Sequence, residues 1–126
     1  MKTSFYSFYE PMMLAIMLAR LEPSDEALLL EQAEQASMQL GEYFQRKDDF
    51  RDCFDAKDKR GMDILDGKCT WLIIEALRRG DDEARHCLMQ NYGVRADDAE
   101  RRVKDVYLAL DLPGSFRAYE EAAVSR

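Results

Sequence analysis

Gly41-Glu42-Tyr43-Phe44-Gln45-Arg46-Lys47-Asp48-Asp49-Phe50-Arg51-Asp52-Cys53-Phe54 closes a long run, from about residue 25 to 54, whose apolar positions recur with helical spacing. Leu29, Ala33, Ala36, Leu40 and Phe44 step by four, three, four and four and define one helix face. Two more steps of four reach Asp48 and Asp52, so the helix is expected to turn two carboxylates, one turn apart, to the side its apolar residues face. Like charges at that spacing repel, and burial makes each costlier. A divalent cation relieves both penalties. Magnesium suits the pair because it takes oxygen ligands, uses one or two carboxylates and keeps positions for water and phosphate oxygens. A solvated acidic patch beside Arg46, Lys47 and Arg51 is the other reading of such a string.

Outward from this helix the chain reads as helices separated by short punctuation. Residues 3–21 are aromatic and Met-rich, apolar nearly all round from Met12, which predicts a helix buried on every side with Pro11 kinking its start. Glu22-Pro23-Ser24 closes it, with Ser24 as N-cap of the long helix and Asp25 and Glu26 in its first turn. A charged loop over 55–61 leads to a helix over about 63–79 around Trp71-Leu72-Ile73-Ile74, stopping at Gly80. Helices near 81–92 and 96–110 follow, separated at Gly93, and a last amphipathic segment runs to about 124. The expectation is an all-α fold of about five to six helices, residues 1–126 forming one unit.

Composition agrees. Hydrophobic residues are 47% and charged residues 34%, with 6 Gly and 3 Pro, a globular and helix-forming balance. The net charge of −7 argues against a nucleic-acid partner, which needs a basic face. Cys53, Cys69 and Cys87 lack metal-ligand spacing and form no closed disulfide set, so they read as reduced thiols. The longest apolar run, Met12 to Ala19, is too short for a transmembrane segment. A cytoplasmic location is the default. His86 reads as a surface residue.

The sequence around the acids resembles the second aspartate-rich region of the farnesyl diphosphate synthase type of trans-prenyltransferase. Thr3-Ser4-Phe5-Tyr6-Ser7-Phe8-Tyr9-Glu10-Pro11 looks like the helix that precedes that region. Lys59-Arg60-Gly61-Met62-Asp63-Ile64-Leu65-Asp66-Gly67-Lys68-Cys69-Thr70-Trp71-Leu72 looks like the block that follows it. Asn91-Tyr92-Gly93, Ala109-Leu110-Asp111-Leu112-Pro113 and Tyr119-Glu120-Glu121 are similar to later blocks, in the same order. The resemblance covers nearly the whole chain.

It implies a partial helical bundle of the isoprenoid-synthase type. In that family an allylic diphosphate is held by magnesium between two aspartate-rich motifs and ionises; isopentenyl diphosphate then attacks the allylic cation. Carried over, Asp48, Asp49, Asp52 and Asp63 are the metal-binding acids, with Asp48 the direct ligand. Lys2, Thr3, Gln45, Lys59 and Lys68 contact the diphosphate substrate. No catalytic residue is assigned. The departures are Lys47 for a glutamine, Arg51 for a leucine, Met62 for a threonine, Gly67 for an asparagine and Glu10 for a leucine, with a shorter loop after Asp52. The first aspartate-rich motif has no counterpart here, so the chain resembles the C-terminal portion of such an enzyme and is expected to be inactive alone. The implied partners are the allylic diphosphate and either a second copy, as a homodimer, or a full-length synthase. The alternative is a non-catalytic paralogue that binds magnesium and diphosphate or regulates a complete enzyme.

Overall fold

The structure, a computed structural model, describes residues 5–55 and 61–124. They contain a π-helical turn, Phe5–Tyr9, and seven α-helices: α1 Glu10–Leu18, α2 Pro23–Phe54, α3 Met62–Leu65, α4 Trp71–Arg79, α5 Asp82–Asn91, α6 Asp97–Ala109 and α7 Leu112–Val124. No strand occurs among the described residues, so the all-α expectation holds. The chain divides into two compact units, 1–45 and 46–126.

In the first unit Pro11 lies in the first turn of α1, where its missing N–H is harmless, and the residues just before it are π-helical instead of kinked. Phe8 packs on Phe44, and the Ser37 hydroxyl reaches the Met12 sulfur at 3.5 Å. The face of α2 buried in this unit carries the small residues Ala33, Ser37 and Gly41. This corrects the stripe read from the sequence: Leu29, Leu40 and Phe44 are exposed. Helix α1, expected to be covered all round, has no buried residue. Ser24 is not the cap of α2; the helix starts at Pro23, and the Glu22 carbonyl accepts the amides of Asp25 and Glu26 at 3.0 and 2.9 Å.

The second unit holds a core of Cys53, Ile64, Leu72, Ile73, Ala76, Leu88, Val103, Tyr107 and Leu112. Helix α6 packs on α5, α7, α3 and α4. Two of its helices start as their sequences dictate. Asp81 caps α5, its carboxylate accepting the Ala84 amide at 2.8 Å, and Thr70 caps α4, accepting the Ile73 amide. Phe50 stacks on Phe116 with ring centroids 4.4 Å apart, and Arg46 lies 4.3 Å over the Tyr119 ring, so the end of α2 is fastened to α7. Burial pushes the Cys53 thiol up to about 12, which keeps it protonated as a packing group.

The helix expected over 63–79 is two helices. Gly67 takes a left-handed conformation, φ 64°. The Gly67 amide donates to Ile64 O at 3.2 Å and the Lys68 amide to Asp63 O at 2.9 Å, the paired bonds of a Schellman stop. Glycine here, and asparagine in the resembling family, both tolerate that conformation, so this departure preserves the turn. The break moves residues 66–70 off the helix and creates the loop that carries Lys68.

Candidate functional site

The site lies in the second unit, where the last turns of α2, the first turn of α3 and the α3–α4 loop meet. Lys68 stands between two acids, its Nζ 2.8 Å from Asp63 Oδ2 and 3.3 Å from Asp49 Oδ1. Asp49 is 3% exposed. Its other oxygen, Oδ2, accepts the Trp71 amide at 3.5 Å, which places the carboxylate at the positive N-terminus of α4. Asp52 is half-buried, and its Oδ2 accepts the Asp63 amide at 2.9 Å. Asp48 is exposed and has no hydrogen-bond or ion-pair partner among the described residues.

So the acid turned inward is Asp49, not Asp48. Asp49 and Asp63 share the one positive charge of the Lys68 ammonium, and Asp52 gives one oxygen to a backbone amide. Open to a ligand on the α2 side are the Asp48 carboxylate and the second oxygen of Asp52, one helical turn apart. Among the described residues no three or more His, Cys, Asp or Glu side chains are gathered closely enough to hold a metal by themselves. Two carboxylates with open positions fit magnesium, which keeps several waters and takes phosphate oxygens in preference to an all-protein cage.

The departures at Lys47 and Arg51 leave this region uncrowded. Lys47 pairs with Glu120 on α7 at 3.0 Å, and Arg51 pairs loosely with Asp55 at 3.9 Å, one turn along its own helix. Gln45 belongs to the first unit and is exposed. Lys2, Thr3 and Lys59 lie outside the described residues. The structure therefore brings Asp49, Asp52, Asp63 and Lys68 together and leaves Asp48 on the solvent side of the same turn of α2.

Burial lowers the affinity of Lys68 for its proton, but the hydrogen bonds it donates to Asp63 and Asp49, with the charges of those acids, outweigh it, and the pKa is raised above the ordinary 10.5. A lysine whose folded pKa lies above its unfolded value contributes stability that is complete below the unfolded pKa and is lost as pH rises through the folded one. Lys68→Met is therefore expected to narrow the stability difference from the parent chain above pH 10.5, not below pH 9 (urea unfolding of both chains across that range measures it). A difference that shrinks on the acid side instead would contradict the assignment.

Groups without a sequence-derived role hold this loop. The Tyr92 hydroxyl donates to the Lys68 carbonyl at 2.6 Å, the Gly93 amide donates to the Ile64 carbonyl at 2.9 Å, and Arg95 pairs with Asp66. On the other side the Glu100 carboxylate accepts the Gly61 amide at 2.9 Å while it pairs with Lys104 at 2.6 Å. Apart from the Glu100–Lys104 pair, spacing could not reveal these contacts, because they join residues from 24 to 39 positions apart.

An all-α chain with an acid-lined helix end and one lysine as counter-ion is compatible with several binding functions. The comparisons narrow them. The polyprenyl synthetase family model matches residues 1–110, and the chain belongs to that family. Farnesyl pyrophosphate synthase of Schizosaccharomyces pombe is 42% identical over 98% of the chain, and that of Gallus gallus 38% identical over 99%. The chain spans only 36% and 34% of the lengths of those two relatives. Among solved structures, unliganded T. brucei farnesyl pyrophosphate synthase superposes with a TM-score of 0.82 at 30% identity, covering 98% of this chain and 38% of that one. The T. brucei enzyme complexed with homorisedronate gives a TM-score of 0.84 at 29% identity, covering 97% and 35%. The fold is that of these isoprenoid synthases.

Proposed function

We propose that this chain supplies the second aspartate-rich half of a farnesyl- or geranyl-diphosphate-forming prenyltransferase, the half that grips the allylic diphosphate through magnesium. The observation that carries the reading is the convergence of Asp49, Asp52, Asp63 and Lys68 beside Asp48, which has no partner among the described residues, in a member of the polyprenyl synthetase family. Asp48 and Asp52 hold the metal. Asp49 and Asp63 fix Lys68, which donates to a diphosphate oxygen. Magnesium, when bound, neutralises the charge that builds on the departing diphosphate. The chain's own contribution is to orient that diphosphate and to keep one ammonium fixed where negative charge develops.

Condensation with isopentenyl diphosphate also needs a facing aspartate-rich motif, so elongation belongs to a complete enzyme. The exposed Leu29, Leu40 and Phe44 support the companion reading, in which such a polypeptide covers the first unit, whether from the same chain, a second copy or a full-length synthase. Among the described residues no helix is long and apolar enough to cross a membrane, and a cytoplasmic setting belongs to the same proposal.

The test is calorimetric titration of the chain with dimethylallyl diphosphate, with and without magnesium. Binding that requires magnesium is expected, together with no elongated product when isopentenyl diphosphate is added. Magnesium-independent binding or none would remove the metal-grip reading. Elongation at the rate of a complete synthase would remove the division of labour.

A further inference from the structure

We propose that Tyr92 and Gly93 are positioning residues for Lys68: the turn between α5 and α6 clamps the lysine's main chain and so sets where its ammonium meets an anionic ligand. The inference rests on the reading above, in which Lys68 meets a diphosphate, and adds to it the device that aims the lysine.

An ammonium on a four-carbon stem is not placed by its own torsions. It is placed only if its Cα is fixed and its head is held. Asp49 and Asp63 hold the head. The main chain is gripped on both sides: the Lys68 amide donates to the Asp63 carbonyl at 2.9 Å, and the Lys68 carbonyl accepts from both the Thr70 amide at 2.8 Å and the Tyr92 hydroxyl at 2.6 Å. Of these grips only the tyrosine comes from outside the 63–70 segment. Its ring packs against the core, so the hydroxyl is presented from a fixed platform. Burial also pushes the phenol's pKa up, which keeps the donor protonated.

Gly93 sets how near that platform comes. Its φ is 76° and that of Gly67 is 64°, and a Cβ built on Gly67 would lie 3.4 Å from the Gly93 Cα. The two turns thus meet glycine against glycine, both in the left-handed region that other residues enter at a cost. The Gly93 amide donating to Ile64 and the pairing of Arg95 with Asp66 lock the same two segments on either side. A tyrosine kept only for packing needs none of this: its hydroxyl could face water. Here it donates to the carbonyl of the site lysine, with the Thr70 and Tyr107 side chains beside the same hydroxyl.

The experiment uses the full chain and magnesium with inorganic pyrophosphate as probe, comparing the parent, Tyr92→Phe, Lys68→Met and the double variant by calorimetry. Tyr92→Phe, which removes one hydroxyl, is expected to weaken pyrophosphate binding about five-fold, the scale of one hydrogen bond. Lys68→Met is expected to weaken it about ten-fold, and adding Tyr92→Phe to it should change nothing further. An undiminished Tyr92→Phe effect in the Lys68→Met background, or no effect in the parent background, would overturn the proposal. If the parent binds no pyrophosphate, it is the diphosphate reading that fails, and amide hydrogen exchange then decides the clamp. Exchange of the Lys68 and Thr70 amides should quicken at least roughly ten-fold in Tyr92→Phe while the Val103 and Tyr107 amides keep their protection. Unchanged Lys68 and Thr70 exchange would overturn it.

Discussion

Asp49→Asn is expected to lower the unfolding free energy of the second unit by about 2 kcal/mol, the largest stability effect of any single acid in the site. The carboxylate is almost wholly buried, and it accepts from the Lys68 ammonium and from the Trp71 amide. Asparagine keeps the shape and one acceptor but loses the charge that balances Lys68 and the α4 N-terminus. Its amide nitrogen cannot accept from an ammonium. Urea unfolding followed by the fluorescence of Trp71, the single tryptophan, reports on this unit directly. A change below about 0.5 kcal/mol, the range of ordinary surface substitutions, would show that the buried acid is dispensable.

Asp48→Asn should do the opposite. Its side chain is exposed and has no partner among the described residues, so stability should move by no more than about 0.5 kcal/mol. Magnesium-dependent affinity for pyrophosphate, by contrast, should fall by about 100-fold, because losing a direct ligand costs at least what losing a supporting group around a metal costs. Calorimetry on the folded variant measures this. Adjacent acids with opposite phenotypes would separate the one that builds the site from the one that binds. Equal affinity in parent and variant would remove Asp48 from the metal.

That division was not legible in the sequence. The spacing of apolar residues placed the acids on a helix and one turn apart, which stands. It misjudged which acid turns inward, because the stripe was traced through the large residues Leu29, Leu40 and Phe44. In the first unit the packed face is made by Ala33, Ser37 and Gly41. Large apolar side chains mark the buried face only where something covers them, and among the described residues nothing covers these three fully. The end of α4 and the helices α5 and α6 were readable to within about two residues, the usual boundary scatter, because the breaks at Gly80 and Gly93 are local chemistry. The break at Gly67 was missed, since a lone glycine in an apolar helical pattern is usually tolerated inside it. Lys68 could be named by resemblance, but its bridging of Asp49 and Asp63 depends on the loop that the glycine creates. The support from Tyr92, Gly93, Arg95 and Glu100 is tertiary and has no signature in spacing.

The same geometry answers two questions raised by the departures from the resembling family. A lysine at position 47 could have competed with magnesium, yet it pairs with Glu120 at 3.0 Å. Arg51 is exposed and, among the described residues, reaches Asp55 at 3.9 Å. Both pairings are compatible with a retained metal grip.

A crystal structure of the chain grown with manganese in place of magnesium, and with pyrophosphate, tests the central claim most directly. The account predicts an anomalous peak within about 2.3 Å of an Asp48 carboxylate oxygen, with a pyrophosphate oxygen shared between that ion and the Lys68 ammonium. A metal seated between Asp49 and Asp63 with Lys68 displaced, or a pyrophosphate bound remote from all five residues, would contradict it.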